Sequence, residues 1–131
     1  MIKLLENYSN KAVKIIDEAK LIAEEYNSKI VGSEHLLLAL YNTEDSVCYF
    51  LLNERLITEE DLKKEINNLI ILRNKRNESI YTKELTDIVK YASEVARKTK
   101  SEYVYEEHMF YALLVCNDNV GKDILTKLGV D

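Results

Sequence analysis

The chain has 131 residues, of which 47% are hydrophobic, enough for one domain with a single core. Its formal net charge is −5, which argues against a general nucleic-acid or anionic-membrane binder, because such proteins present a basic face. Proline is absent, glycine occurs three times and apolar residues recur at helical spacing, so we predict an all-α protein.

The first predicted helix begins after Ser9, whose hydroxyl suits an N-cap. Its apolar residues recur at intervals of three and four, which places them on one helix face: Ala12, Ile15, Ile16, Ala19, Ile22, Ala23 and Tyr26. A shift of 73 positions, the distance from His35 to His108, restores the pattern, with Thr82 as the cap. The corresponding face of the helix in the second copy, its apolar stripe, comprises Leu85, Ile88, Val89, Ala92, Val95, Ala96 and Thr99.

Three further helices follow in the first copy. The segments 33–41 and 47–52 are matched by 106–114 and 120–125 in the second copy. A fourth helix begins at Thr58 with a sequence that resembles a capping box, in which Asp61 replaces the usual Glu or Gln. It continues its stripe through Leu62, Ile66, Leu69 and Ile70, and it has no counterpart in the second copy.

The chain therefore divides into copy one, 1–72, a polar linker, 73–81, and copy two, 82–131. Because neither half would bury much apolar area alone, we expect the copies to pack as one domain with pseudo-two-fold symmetry. Asp131 aligns with Thr58, so the last helix of copy two is missing. We expect a piece of a longer protein, with a short natural protein as the alternative.

Cys48 and Cys116 show no metal-binding or disulfide spacing, and we predict two reduced thiols in a cytoplasmic protein. No signal peptide is visible, and no apolar run approaches the length that spans a bilayer.

Two related phrases mark the second helix of each copy. They read VGSEHLLLAL at 31–40 and VYEEHMFYAL at 104–113, each after a capped amphipathic helix. This duplicated pattern resembles the amino-terminal Clp repeat domain of Clp-family AAA+ unfoldases of the ClpC and ClpA type, closest to ClpC. The resemblance covers residues 8–130.

The Glu-His pair also has a reading from the residues alone. Ser33 suits the cap of the second helix, so Glu34 would lie in its first turn, where an acid gains from the helix dipole. Glu107 has the same place in copy two. His35 and His108 are interpreted as structural residues, with zinc bridging the copies as a far weaker alternative, because no HExxH pattern is present.

Catalytic motifs are absent from the sequence. There is no GxxxxGK[ST] phosphate loop and no GxSxG elbow, so this chain is not predicted to hydrolyse ATP or to be an enzyme, and no cofactor is expected. The remaining enzymatic hypothesis is a hydrolase or metalloprotein built on the Glu-His pairs.

The family resemblance implies a protein-binding function. Its members recruit clients and adaptor proteins to ATPase modules, and through these to a Clp-type peptidase, and the ClpC branch recognises phosphoarginine. The matching positions are Ser9 and Thr82 for the family's hydroxyls, and Glu34 and Glu107 for its glutamates. A helix start and a hydroxyl suit a phosphoryl group, while a carboxylate suits a guanidinium.

We expect each binding pocket to form within one copy, from Ser9 with Glu34 and from Thr82 with Glu107. Copy two replaces Gly32 and Ser33 by Tyr105 and Glu106, and this second anion predicts weaker phosphoryl binding there. A free-standing Clp-repeat adaptor or inhibitor is the alternative function. The isolated domain is expected to be a monomer that binds neither nucleic acid nor membrane.

Overall fold

The computed structural model describes residues 2–70 and 81–130, which form a short 3-10 helix and seven α-helices. The 3-10 helix spans Ile2–Leu5. The α-helices are α1 (Asn10–Glu25), α2 (Ser33–Tyr41), α3 (Val47–Glu54), α4 (Glu59–Ile70), α5 (Lys83–Lys98), α6 (Glu106–Val115) and α7 (Val120–Lys127). The all-α duplicated architecture is therefore confirmed, with α1–α3 matched by α5–α7, and α4 has no counterpart in the described part of copy two.

The helix bounds differ little from those predicted. The third helices of the two copies end two residues later than expected, at Glu54 and Lys127. The predicted linker and Asp131 lie outside the described residues, apart from Tyr81.

Side-chain caps set several helix starts. Thr58 and Asp61 form the predicted reciprocal pair at α4, in which the amide of Thr58 donates to the Asp61 carboxylate at 2.9 Å and the amide of Asp61 donates to the Thr58 hydroxyl at 3.2 Å. Ser46 and Asn119, at related places in the two copies, cap α3 and α7.

Most residues of the predicted stripes form the core, but Tyr26 and Val95 are only partly buried and Thr99 is exposed. On α1, the six buried residues are Ala12, Ile15, Ile16, Ala19, Ile22 and Ala23, and on α5 they are Leu85, Ile88, Val89, Ala92 and Ala96. Small alanines on each stripe allow α2 and α6 to pack closely against these two helices.

The central helix is α2, whose nine residues are all buried. It contacts α1 and α3–α7, whereas its repeat partner α6 leaves Glu107, Tyr111 and Val115 exposed. The two copies therefore share a backbone plan but differ in how fully their second helices are covered. That difference governs how far solvent reaches the starts of α2 and α6.

Candidate functional site

Four helix starts meet in two pairs, and each pair joins one copy to the other. Tyr8 forms a parallel bridge with Val104, and Val31 forms one with Tyr81. The amide of Ser9 donates to the Val104 carbonyl at 2.9 Å, and the amide of Thr82 donates to the Val31 carbonyl at the same distance. The start of α1 therefore lies beside the start of α6, and the start of α5 beside the start of α2.

The expected pairing within each copy is wrong. The rings of Tyr26 and His35 lie 6.3 Å apart where α1 ends and α2 begins, and Lys11 reaches Asp45 beyond the end of α2 at 3.1 Å. The two helices are thus antiparallel, and the 16 residues of α1 separate its two ends by about 24 Å. Ser9 and Glu34 lie at opposite ends of this hairpin.

We call the resulting groups the Ser9 site and the Thr82 site. The Ser9 site comprises Ser9, Tyr105, Glu106 and Glu107. The Thr82 site comprises Thr82, Gly32, Ser33 and Glu34. Each site therefore combines the hydroxyl of one copy with the glutamate of the other copy. The predicted kinds of group are brought together, but between the two copies and not within one.

The two hydroxyls cap their helices as predicted. The Ser9 hydroxyl accepts from the amide of Ala12 at 3.1 Å, and the Thr82 hydroxyl accepts from the amide of Leu85 at 3.2 Å. Each satisfies one of the four amides that an α-helix leaves without an internal partner at its start. The remaining positive end of the helix is a favourable place for an anion.

Ser33 does not cap α2, contrary to expectation. Gly32 is the N-cap and Ser33 is the first helical residue, fully buried. The Ser33 hydroxyl accepts from the amide of Gly121 at 2.8 Å and donates to the carboxylate of Glu84, which also accepts from the amide of Val120 at 3.0 Å. This polar cluster ties α2 and α5 to the start of α7.

Glu106 has the corresponding role in the other half. Its carboxylate accepts from the amide of Val47, the first residue of α3, at 3.1 Å. Burial raises the pKa of Glu106, an effect that the hydrogen bond from Val47 opposes and the neighbouring Glu107 reinforces. Sequence reasoning treated Glu106 only as a second anion and missed this contact.

Each of the two histidines accepts a hydrogen bond from the N-cap amide of its own helix. Nδ1 of His35 accepts from the amide of Gly32 at 3.0 Å, and Nδ1 of His108 accepts from the amide of Tyr105 at 2.9 Å. The ring therefore takes the part that Glu or Gln plays in a capping box. Nε2 of His35 lies 3.9 Å from the carboxylate of Glu34.

The glutamates of the two sites differ in access to solvent. Glu34 is 3% exposed, whereas Glu107 is an exposed residue. The physical reason is the position of α2, which α4 and α7 enclose, while no fourth helix of copy two covers α6 in the described ranges. Only the Ser9 site therefore presents its glutamate to a ligand from solvent.

The charges near the two sites also differ. Lys11 lies in the first turn of α1 and Lys14 follows one turn later, and α1 has no acid in its first turn. At the related positions α5 carries Glu84 and Asp87. Lys11 and Lys14 line a groove of about 470 Å³, whose other lining residues are Ile15, Glu18, Ala39, Asn42, Thr43 and Asp45. Helix α1 thus carries lysines where α5 carries acids, although the Ser9 site also contains Glu106 and Glu107, and Asp87 of α5 is paired with Lys83 at 2.9 Å.

The described residues also bear on the metal-site and membrane hypotheses. Within residues 2–70 and 81–130, no three His, Cys, Asp or Glu side chains converge so as to hold a metal ion. No helix of that same part of the chain has both the length and the apolar character needed to cross a bilayer. Both cysteines are free thiols.

The arrangement is that of a duplicated all-helical Clp-type amino-terminal domain. The chain superposes on the N-terminal domain of the chaperone ClpD from Arabidopsis thaliana with a TM-score of 0.78, at 19% identity, covering 97% of this chain and 88% of the other. For the Hsp104 N-terminal domain from Candida albicans the TM-score is 0.74, at 22% identity, with 96% and 84% covered. These likenesses establish the fold.

Sequence comparison gives the family. Residues 7–128 match the family model of the Clp repeat (R) N-terminal domain, and the chain belongs to that family. It is 26% identical over 124 residues to the negative regulator of genetic competence ClpC/MecB of Bacillus subtilis, and 25% identical over 129 residues to the ATP-dependent Clp protease ATP-binding subunit ClpC of Staphylococcus saprophyticus. The matches cover 94% and 98% of this chain but only 15% and 16% of those relatives.

Proposed function

We propose that this chain is a protein-binding module that recruits clients and adaptor proteins to a Clp ATPase unfoldase in the cytoplasm, and that it recognises phosphoarginine on its clients. ATP hydrolysis and proteolysis would belong to other modules and to a Clp-type peptidase. Family membership supports the binding role. The observation that supports the phosphoarginine proposal is the Ser9 site, where the capped start of α1 lies beside the start of α6, whose first turn carries the exposed Glu107.

The chemistry of the ligand fits these two groups. The phosphoryl oxygens of phosphoarginine accept hydrogen bonds, and the start of α1 offers backbone donors and the positive end of a helix dipole. Lys11 and Lys14 add positive charge on the same helix. The carboxylate of Glu107 then pairs with the guanidinium side of the ligand through charge-assisted hydrogen bonds.

The two sites are not expected to bind equally. At the Thr82 site both Thr82 and Glu34 are buried, and α5 carries Glu84 and Asp87 where α1 carries Lys11 and Lys14. We therefore propose that the Ser9 site is the stronger of the two. This keeps the predicted preference for the start of α1 but not its reason, because Glu106, the anion expected to weaken the site of copy two, lies at the Ser9 site, where its carboxylate accepts from the amide of Val47. The guanidinium contact is assigned to Glu107 in place of Glu34.

A titration with free phosphoarginine tests the proposal. Backbone amide signals of residues 9–12 and 105–108 should shift, and those of 82–85 should shift less. Glu107→Gln should weaken binding about tenfold or more, because it removes a charge-assisted contact. Glu102→Gln, a neighbouring exposed acid outside the site, is the matched control and should leave binding unchanged.

Two ligand controls complete the experiment. Free arginine and inorganic phosphate each carry half of the recognised chemistry, so both should bind more weakly than phosphoarginine. Equal affinity of the unchanged chain and Glu107→Gln, or shifts confined to residues outside both helix starts, would show that the proposal is wrong.

A further inference from the structure

Two exposed tyrosines stand beside the start of α1. Tyr103 and Tyr105 flank Val104, and in an extended segment such neighbours point to the side opposite the residue between them. Val104 is 1% exposed, whereas Tyr103 and Tyr105 are 45% and 40% exposed. The amide of Val104 donates to the carbonyl of Asn7 at 2.8 Å, which fixes this segment alongside the residues that lead into α1. The two rings therefore lie on the outer face of the bridge between the copies.

The register of the bridge places Tyr105 next to Ser9. Tyr8 pairs with Val104, so Ser9 and Tyr105 are the next pair along the two segments. Both have extended backbones, with φ and ψ of −66° and 160° for Ser9 and of −103° and 171° for Tyr105. Paired residues of adjacent extended segments point to the same side, and the two backbones lie about 4.8 Å apart. The Tyr105 side chain thus starts on the same face as the Ser9 hydroxyl.

Two aromatic neighbours hold the ring of Tyr105. The ring of Tyr103 meets it edge-on, with centroids 6.3 Å apart and an angle of 72° between the planes. The ring of His108, tied through Nδ1 to the amide of Tyr105, lies 5.9 Å away with a tilt of 39°. Aromatic rings attract each other in such arrangements, which favours one orientation of the ring. Tyr105 therefore offers an oriented and partly open aromatic surface two residues before the exposed Glu107.

The Thr82 site lacks this surface within the described ranges, because Ile30 and Gly32 stand at the places that Tyr103 and Tyr105 take in the other copy. The contrast lies in the residue types and not in the helices that cover them. Helix α4 packs mainly against α2 and α7, and Ile30 stays partly exposed in its presence. By the repeat relation, a helix laid across α6 and α3 would likewise leave Tyr103 accessible.

The charges around the two rings favour a cation. The segment 101–121 contains no lysine or arginine, and the exposed carboxylate of Glu107 lies in the turn that follows Tyr105. The opposite side of the site is the start of α1, with its helix dipole and Lys11. A ligand that carries a cation next to an anion therefore meets matching charges on both sides.

We propose that Tyr105, supported by Tyr103, makes the Ser9 site selective for a phosphoryl group borne by arginine, because its ring stacks on the planar guanidinium. Arginine cations bind to the faces of aromatic rings, and their planar, weakly hydrated group stacks better than the compact ammonium of lysine. The N–H groups of a guanidinium lie in its plane, so its edge pairs with the Glu107 carboxylate and its face remains for the ring. This inference rests on the proposed phosphoarginine function and adds a specificity-determining residue to it.

Three variants of the full chain, titrated with free phosphoarginine, test this role. Tyr105→Leu keeps an apolar side chain but loses the aromatic face, so it should weaken binding about two- to five-fold, as expected for an exposed cation–π contact. Tyr105→Phe keeps the face and should bind as the unchanged chain does. Tyr111→Leu makes the same change at an exposed tyrosine later in α6 and is the matched control, which should leave binding unchanged.

A comparison with inorganic phosphate separates stacking from support of the helix start. Phosphate has no guanidinium, so its affinity should be equal for the unchanged chain and Tyr105→Leu, and the preference for phosphoarginine over phosphate should fall about two- to five-fold in the variant. Ring proton signals of Tyr105 should also shift when phosphoarginine is added to the unchanged chain. Those of Tyr111 should not shift.

The outcomes distinguish this inference from the proposed function. Phosphoarginine binding that Tyr105→Leu leaves unchanged, or that falls by the same factor as phosphate binding, would overturn the role of the ring and leave the phosphoarginine proposal standing. Absence of phosphoarginine binding to the unchanged chain would overturn both. If Tyr105→Leu does not fold, the ring signals of the unchanged chain decide the question, because unshifted Tyr105 signals at saturation would show that the ring does not contact the ligand.

Discussion

The backbone amide of Val47 donates to the carboxylate of Glu106 at 3.1 Å, so an acid of copy two fixes the first turn of α3 in copy one. At the related contact the amide of Val120 donates to Glu84, on a different helix, and Ser33 bonds to the next amide. The two copies therefore satisfy the same backbone positions with different side chains. The pseudo-two-fold symmetry therefore holds for the backbone but not for the side chains that accept its hydrogen bonds.

Glu106→Gln should change how stability depends on pH. Burial raises the pKa of Glu106 above its ordinary value of 4.5, so the folded state holds this proton more tightly than the unfolded state. That contribution is fully present below pH 4.5 and is lost as the pH rises through the folded-state pKa. Because glutamine keeps an acceptor for Val47 without a charge, the variant should gain stability relative to the unchanged chain as pH rises.

Urea unfolding of both proteins between about pH 4 and pH 8 measures the difference. Glu102→Gln removes an exposed charge elsewhere and is the control for a general change in net charge. Parallel stability curves for Glu106→Gln and the unchanged chain would contradict the assignment of this carboxylate to a buried contact.

Gly121→Ala should destabilise the domain. An added Cβ would lie 2.9 Å from the carbonyl oxygen of Ser33 and 3.1 Å from a methyl carbon of Leu113. The overpacking cost of about 1–3 kcal/mol exceeds or matches the gain of about 1 kcal/mol from the better helix propensity of alanine. We expect a net loss of up to about 2 kcal/mol in the free energy of unfolding, measured in urea. Thr126→Ala, at an exposed position of the same helix, should not show this loss, and a more stable Gly121→Ala would refute the close approach of α7 to α2.

Leu56→Gly should stabilise the domain modestly. Leu56 follows the end of α3 with a φ of +63°, a left-handed conformation, and its counterpart Gly129 has a φ of +94°. Relief of the steric cost, about 1–2 kcal/mol, exceeds the entropic cost of glycine, about 0.5–1 kcal/mol. Because Leu56 is 85% exposed, little packing is lost. Thermal unfolding should show a higher Tm.

Gly129→Leu is the reverse substitution and should lower Tm. No heavy atom lies within 4 Å of a Cβ added at Gly129, so the backbone conformation alone is tested there. A decrease in Tm for Leu56→Gly together with no change for Gly129→Leu would contradict the strain argument.

The two thiols should differ in reactivity. Cys48 is fully buried, and burial raises its pKa, so its thiolate is neither formed nor accessible in the folded chain. Cys116 is partly exposed, although burial and Asp87 raise its pKa as well. With a chromogenic disulfide reagent, the folded chain should release one equivalent slowly and the urea-unfolded chain two. In Cys116→Ser the folded chain should not react on that timescale, and equal rates for both thiols in the folded chain would contradict this prediction.

The local features were readable from the sequence because each depends on neighbours within a few positions. Ser9 and Thr82 cap the helices that follow them, and the Thr58–Asp61 pair opens α4 as expected. A hydroxyl three residues before a free amide can reach it in almost any tertiary setting.

The role of Ser33 could not be predicted from its neighbours in the sequence. Its position suited a cap, but its hydroxyl instead reaches Gly121, 88 residues later. The replacement of Lys11 by Glu84 between the copies was the available signal that the two halves had diverged at this contact. That difference predicts a polar cluster at this contact only once it is known which helix lies beside α2.

The sequence by itself determined the repeat, the helix stripes and the kinds of group at each helix start, because helical periodicity and capping are short-range effects. The tertiary structure decided which starts meet. The start of α1 lies beside the start of α6 and not beside that of α2, because antiparallel packing places the two starts of one hairpin at opposite ends. It also decided that Glu107 faces solvent and Glu34 does not, since α4 and α7 enclose α2, while the related face of α6 has no fourth helix across it in the described ranges.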